Sequence, residues 1–406
     1  MTAPSGVLVV GASAAGLATA EALRRRGYPG ALTVIGAEPH LPYDRPPLSK
    51  QVLAGDWAAG RTRLRTDEAL ERLDAAFVLG DPAVALDPAD RAVRTASGRT
   101  LRADAVVVAT GARPRTLPGQ DALAGVHVLR TLDDALALRA ALGTAERLVV
   151  VGDGVLGAEI AATACGLGLA VTLTGPQRTP LEGRLGPYAA GILGGLHAER
   201  GVRLRLGAAV TGLDGDGGRV TGVRLATGEV LPADVVVVAI GADPETGWLA
   251  GSGLRVDGGL VCDARCRAAD GVYAAGDVAR WHHDGLGAPM RLENRTNTTA
   301  MAAVVAANIL GADVPYTPVP YFWTDQFDAK IHVHGAPRAG DEVAVVDGDP
   351  ADRRFVALYR RGGRVTGVLG WNMPKQTRLR RQENADALAG PAPAPERTQI
   401  PIGGAS

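Results

Sequence analysis

The chain has 406 residues, with 43 Lys+Arg balanced by 43 Asp+Glu, 54 Gly and three Cys. Zero net charge argues against a generic nucleic-acid binder, and 46% hydrophobic with 21% charged residues excludes a disordered chain. Three cysteines cannot build a disulfide scaffold, and at about 150 residues per domain the length implies two or three domains.

The first element is "VLVV" (7–10), a short apolar run that reads as a buried parallel strand. "GASAAG" follows, then a helical stretch ending in "LRRRG", then a second strand, "LTVIG". Gly11 and Gly16 take the first and third glycine positions of a dinucleotide fingerprint, Ser13 takes the middle one, and Glu38 lies 22 residues after Gly16. The pattern returns in "RLVVVGDGVLGAEIAATACGLGLAVTLTG", now with Gly152, Gly154 and Gly157 all present. One such turn is weak evidence. Two, 141 residues apart and each between a strand and a helix, are strong evidence. The chemistry is that of a diphosphate: a helix start offers free N–H groups, and glycine lets the backbone approach.

"ADAVVVATGARPR" (103–115) and "ADVVVVAIGADPE" (233–245) resemble each other, and each closes one unit. "GVYAAGDVARW" places Gly276 and Asp277 after a short strand. "NRTNTTAMAAVVAANIL" reads as a helix with a polar start. From about residue 315 aromatics cluster and alternating runs such as "RRFVALYRR" predict antiparallel strands. The fold class expected is α/β, with two nested Rossmann-like dinucleotide-binding domains and a C-terminal α+β domain. The boundaries read as 1–115 with 246–316, then 116–245, 317–390, and a Pro/Gly-rich tail over 391–406.

Cys262 and Cys266 are four apart, but the adjacent His282 and His283 do not fit zinc-finger spacing, so no metal site is expected. The opening "MTAPSGVLVVGAS" has no signal-peptide pattern, and the longest apolar run (300–310) is too short to cross a bilayer. With reduced thiols, this predicts a cytoplasmic protein without membrane contact.

Taken together, the two units, "ATGARPR", "AIGADP" and "AAGD" resemble the glutathione-reductase-like flavoproteins. Within them, "PHLPYDRPPLSK" (39–50), "PYFWTDQFDAKI" (320–331) and "GVLGWN" (367–372) resemble the FAD-dependent NAD(P)H:ferredoxin reductases of bacterial oxygenase systems. The resemblance implies FAD on the first unit, with Gly11, Ser13, Gly16, Glu38, Thr110, Gly111, Gly276 and Asp277 around it. Arg45 and Arg130 would neutralise phosphate or contact the flavin. The second unit would take NADH or NADPH through Gly152, Gly154, Gly157 and Gly241. Lys50 and Glu159 would lie near the flavin N5 edge and stabilise charge as hydride arrives, and Trp323 would lie close to the isoalloxazine. The start of the 294–310 helix, with Asn297 and Thr298, would favour negative charge on the flavin.

The chemistry implied is hydride transfer from NAD(P)H to FAD, then single electrons to an iron–sulfur ferredoxin serving a haem monooxygenase or ring-hydroxylating oxygenase. Residues 38–60 contain no cysteine, which argues against a dithiol relay or a cysteine peroxidase. A cluster usually needs four cysteine ligands, so the iron–sulfur centre belongs to a partner. An acidic ferredoxin would meet a basic face, either Arg360, Arg361, Arg364, Lys375, Arg378, Arg380 and Arg381 or the stretch "RTRLR" (61–65). The alternatives are an NAD(P)H oxidase or diaphorase, and a redox-sensing flavoprotein of the apoptosis-inducing-factor type. Two departures stand out. Gly175 occupies the strand end where an acid usually pairs with the adenosine ribose, with Arg178 three residues on, which leaves NADPH open beside the NADH that the resemblance favours. Arg295 stands where the family often carries tryptophan.

Overall fold

The computed structural model describes residues 4–389, so the tail expected over 391–406 lies outside the described residues. The first strand, Gly6–Val10, sits near the middle of a six-stranded sheet. It pairs in parallel with Ala31–Ile35 on one side and Ala105–Val108 on the other. Val7, Leu8, Val9 and Val10 are all buried: the helix Ala14–Arg25 packs against this sheet, and Leu86 and Val93 of the antiparallel strands Ala83–Asp87 and Ala92–Thr95 join the same core. Beyond Ala105–Val108 come Val272–Ala274 and, at the edge, Arg267–Ala269, so the chain leaves this unit and returns to it.

The excursion builds a second parallel sheet. Its five strands run in the order Arg203–Leu206, Ala170–Gly175, Arg147–Val151, Val235–Val238 and Val126–His127. The two exits from the sheets are tied together: Ala112–Pro114 pairs antiparallel with Ala242–Pro244. The remainder is a five-stranded antiparallel sheet over Tyr321–Gln326, Ala329–Gly335, Glu342–Asp349, Arg354–Arg361 and Arg364–Trp371, followed by the helix Pro374–Ala389.

The two glycine turns repeat one geometry. In the first, Gly11 has φ +123° and a Cβ there would overlap the carbonyl oxygen of Ala109. In the second, Gly152 has φ +124° and would overlap the carbonyl oxygen of Ala239. One turn of helix later, a Cβ on Gly16 would run into the Gly11 carbonyl, and one on Gly157 into the Gly152 carbonyl. The glycines at these four positions are therefore packing requirements: strand, loop and helix meet closer than any side chain permits. Gly154 differs, because nothing lies within 4 Å of its Cβ position and its φ of −79° suits any residue.

Gly157→Ala should therefore cost about 1–3 kcal/mol through backbone overlap. Gly154→Ala should stay within about 0.5 kcal/mol of wild type, as a surface substitution does. Urea unfolding of the two variants checks the difference. Equal stability would show that the crossing is not as tight as described.

Candidate functional site

The helices that open after the two glycine turns, Ala14–Arg25 and Val155–Gly166, share a feature. Neither N-cap residue, Ser13 or Gly154, bonds a backbone N–H of its helix through a side chain. Three other helices are capped, with Thr66, Thr131 and Asn294 each accepting from a first-turn amide, whereas Gln51–Ala54 and Glu182–Glu199 are not. The two helix starts therefore hold unsatisfied donors next to close-approach glycines, an arrangement that suits a diphosphate.

Beside the first helix start lies a cavity of about 260 Å³, lined by Gly11, Ser13, Glu38, Arg45, Thr110 and Trp248 among others. Trp248 lines it although its indole Nε1 is itself buried and has no hydrogen-bond partner. A cradle of uncapped amides at close-approach glycines and a carboxylate just past the second strand fit the ADP half of a flavin dinucleotide.

Glu38 is held on both oxygens. Arg45 donates to Oε1 at 2.6 Å, and the hydroxyl of Tyr43 donates to Oε2. Arg45 also donates to the Arg130 carbonyl at 2.6 Å, and its guanidinium lies over the Tyr43 ring at 5.1 Å. Burial, and then Glu38, push the Tyr43 phenol well above its usual range despite the opposing Arg45, so it stays a neutral donor. Arg130 forms an ion pair with Asp277 at 3.0 Å. The two arginines expected to neutralise phosphate are thus each bound to a carboxylate expected to hold the cofactor. Thr110 Oγ1 donates to the Glu245 carbonyl at 2.7 Å and clasps the two sheet exits. Gly111 and Gly241 turn at those exits with φ +75° and +101°. Gly276, with φ +80°, lets two helices converge: a Cβ there would lie 2.9 Å from Ala15 Cβ and 3.2 Å from Thr298 Cγ2. Asn297 and Thr298 are both buried at the start of the helix Arg295–Ile309, and Asn297 accepts from the Tyr316 hydroxyl at 2.9 Å.

Lys50 and Glu159 come together at 2.7 Å, although 109 residues separate them. Glu159 is 6% exposed and accepts from Ser49 at 2.6 Å and from Thr324 at 2.8 Å. Behind Thr324, Gln326 donates to it at 3.0 Å, and His197 Nε2 donates to Gln326 Oε1 at 2.7 Å. Burial holds the His197 imidazole below its usual pKa, so it is neutral at pH 7. Every hydrogen in this chain points toward Glu159, which acts as acceptor only. The carboxylate joins the segment 49–50, the second glycine-turn helix and the first strand of the C-terminal sheet.

Trp323 is not part of that junction. Strand alternation turns it to the face opposite Thr324. There it stacks on Tyr321 at 5.9 Å, and Tyr321 stacks on His334 at 4.6 Å. Burial, then Arg381 and His332, push the His334 imidazole down to about 4, leaving a neutral aromatic ladder.

The sequence reasoning missed Tyr43, Ser49, Trp248 and Thr324. Three of these stand in motifs already singled out, but nothing local says which residue turns inward. The basic stretches are less free than they read. Arg63 pairs with Asp67, Arg65 with Glu21, and Arg61 lies 4.3 Å over Trp57. Arg361 pairs with Asp341 and Arg380 with Asp347. Arg295 is accounted for: it donates to Asp44 and to Thr299, both at 2.6 Å, and fastens the helix start to the segment 42–50. Cys262 and Cys266 are buried in the core of the first unit, where burial raises both thiols well above their usual range. Arg178 is exposed, and its backbone N–H donates to Glu182 at 3.1 Å. Gly175 has not simply lost an acid. A Cβ there would stand 2.8 Å from Asp153 Cβ and closer still to the Asp153 carboxylate.

Comparison with known proteins agrees with this geometry. Residues 5–307 match the model of the pyridine nucleotide-disulphide oxidoreductase family, and residues 321–391 match the reductase C-terminal family. A probable ferredoxin reductase, CtmF, of Castellaniella defragrans is 38% identical over 91% of this chain and 90% of that protein. The chain belongs to the ferredoxin reductases of the pyridine nucleotide-disulphide oxidoreductase family. The crystal structure of the covalent putidaredoxin reductase–putidaredoxin complex matches with TM-score 0.89 and 34% identity, covering 95% of this chain and 94% of that one. The ferredoxin reductase for the CYP199A2 system of Rhodopseudomonas palustris matches with TM-score 0.87 and 34% identity, covering 91% of each chain. Members of this family use FAD and NAD(P)H.

The buried pair gives a stability test. Lys50→Met strands an unpaired carboxylate and should cost about 3–5 kcal/mol, whereas Lys50→Met combined with Glu159→Leu should recover most of it. Urea midpoints of the single and double variants check this, and a double variant no more stable than the single would refute it.

Proposed function

We propose that the protein is an NAD(P)H:ferredoxin oxidoreductase. It takes hydride from a nicotinamide coenzyme onto FAD and passes electrons singly to an iron–sulfur ferredoxin that serves a haem monooxygenase or ring-hydroxylating oxygenase. The observation that carries the reading is the pair of uncapped helix starts at twin glycine crossings, joined by a buried Lys50–Glu159 pair with no cysteine in the junction. FAD, when bound, takes two electrons together from a nicotinamide and releases them one at a time.

We assign FAD to residues 1–115 with 246–316, the nicotinamide coenzyme to 116–245, and the ferredoxin-facing part to 317–390. Gly11, Ser13 and Gly16 present helix amides to the pyrophosphate. Glu38, steadied by Arg45 and Tyr43, accepts from the ribose hydroxyls. Asp277, fixed by Arg130, turns toward the ribityl chain. Lys50 keeps an ammonium where negative charge accumulates, and Glu159 holds that ammonium in place. Trp323, on the aromatic ladder of the C-terminal sheet, lies on the way out. Its three cysteines are free thiols, which suits a cytoplasmic location.

Stopped-flow mixing of the purified protein with NADH and NADPH, followed by a two-iron ferredoxin, tests this reading. The flavin absorbance should bleach, and the ferredoxin should then be reduced faster than oxygen is consumed. Lys50→Met should slow the bleaching by about 10². A colourless protein that cannot be reconstituted with FAD, or one whose electrons reach only oxygen, would refute it.

A further inference from the structure

The two glycine-turn units are the same device used twice, and superposing them residue by residue exposes one exchange. Gly11 N donates to the Ile35 carbonyl at 2.8 Å, and Gly152 N donates to the Thr174 carbonyl at 2.8 Å. Ile35 therefore corresponds to Thr174, Gly36 to Gly175, and Glu38 to Gln177. On the same basis Ala12 corresponds to Asp153. In the first unit the methyl of Ala12 lies 2.7 Å from the Cβ position of Gly36, and the carboxylate comes two residues later as Glu38. In the second unit the later position is the uncharged Gln177, and the carboxylate comes instead from the glycine turn.

Asp153 is 5% exposed, and its side chain fills the space above Gly175. Gln177 clamps it: the backbone N–H donates to Oδ2 at 2.7 Å, and the side-chain amide donates to Oδ1 at 2.6 Å. Gln177 is itself fixed, because its Oε1 accepts from Gly183 N at 2.7 Å. The loop is closed by Leu181 N, which donates to the Asp153 carbonyl at 2.9 Å. Each carboxylate oxygen accepts one bond here and keeps a lone pair for another donor. The end of the second strand is where the adenosine ribose of a dinucleotide lies in this fold, and an acid there favours a 2′-hydroxyl over a 2′-phosphate.

We propose that Asp153 is the coenzyme-selecting residue of the second unit, accepting from the adenosine ribose hydroxyls and excluding a 2′-phosphate, so that the donor is NADH. The inference rests on the assignment of this unit to the nicotinamide coenzyme. The bare Gly175 is then the consequence of the exchange: no side chain fits under Asp153. Arg178 is the competing feature, an exposed cation three residues beyond Gly175 that would attract a 2′-phosphate.

Calorimetric titration of the FAD-loaded protein with NAD⁺ and with NADP⁺ separates the two. NAD⁺ should bind at least about tenfold more tightly, as expected when a like-charged contact penalises the competitor. Asp153→Asn, which keeps the shape and the bond from Gln177 N, should shrink that ratio mainly by tightening NADP⁺. Gly175→Glu alone should lower the melting temperature and weaken both coenzymes, because its side chain meets Asp153. Asp153→Gly combined with Gly175→Glu should restore both the melting temperature and the preference for NAD⁺. Two results would overturn the proposal: an unchanged ratio in a folded, yellow Asp153→Asn variant, or a wild-type preference for NADP⁺ that Arg178→Ala abolishes. Binding of neither coenzyme would instead refute the assignment of the unit, and the proposal with it.

Discussion

At Gly11 and again at Gly152, the backbone of a loop passes so close to the carbonyl of a neighbouring strand exit that a methyl group would overlap it. One helical turn later, Gly16 and Gly157 permit the same approach from the other side. These crossings set the position of both helix starts relative to their sheets, and both helix starts carry uncapped amides. Everything that follows in the site depends on this constraint. The cavity beside the first turn, the clasp from Thr110 to Glu245 and the converging helices at Gly276 are all measured from it. A looser crossing would leave the amides pointing elsewhere, and no arrangement of Glu38 or Asp277 would compensate.

The second constraint is electrostatic. A carboxylate as buried as Glu159 is tolerable only if its lone pairs are met. Lys50, Ser49 and Thr324 meet them, and they come from separate parts of the chain. The same bonds that keep the charge acceptable therefore hold three structural units in register. They also explain why the chain behind Thr324 runs on through Gln326 to a neutral His197: each donor in the row must be oriented by the next.

What the sequence made legible follows from the range of each constraint. The glycine turns were readable because a backbone crossing demands glycine at fixed local spacing, whatever lies elsewhere. Lys50 and Glu159 were readable only through motif resemblance, since they stand 109 positions apart in the chain. The roles of Tyr43, Ser49 and Thr324 were not readable, because a strand or loop motif does not say which neighbour faces inward. Thr324 and Trp323 are adjacent, yet they serve opposite faces of one strand. The ion pairs within the basic stretches were hidden for a related reason. Asp341, Asp347 and Glu21, which pair with Arg361, Arg380 and Arg65, lie 20 to 44 residues away and are invisible to a count of local charge. Gly175 shows the same limit: the side chain that stands against it in space, Asp153, lies 22 residues earlier in the chain, so a reading along the strand does not find it.

The family takes its description from disulphide chemistry, and the fate of the thiols in this chain shows how the same frame serves another purpose. A thiol relay needs a thiolate at the flavin edge. Here the segment 38–60 has no cysteine, and Cys262 and Cys266 sit in the core, where burial raises their pKa values and keeps them protonated. The junction is built instead from an ammonium and a carboxylate, groups that can steady charge but cannot carry electrons. In the proposed function, electrons reaching such a junction would find no thiol acceptor there and would leave by another face. The sheet that supplies Thr324 to the junction carries Trp323, Tyr321 and His334 on its opposite side, so in the proposed function one strand would both steady the site of hydride arrival and begin the exit.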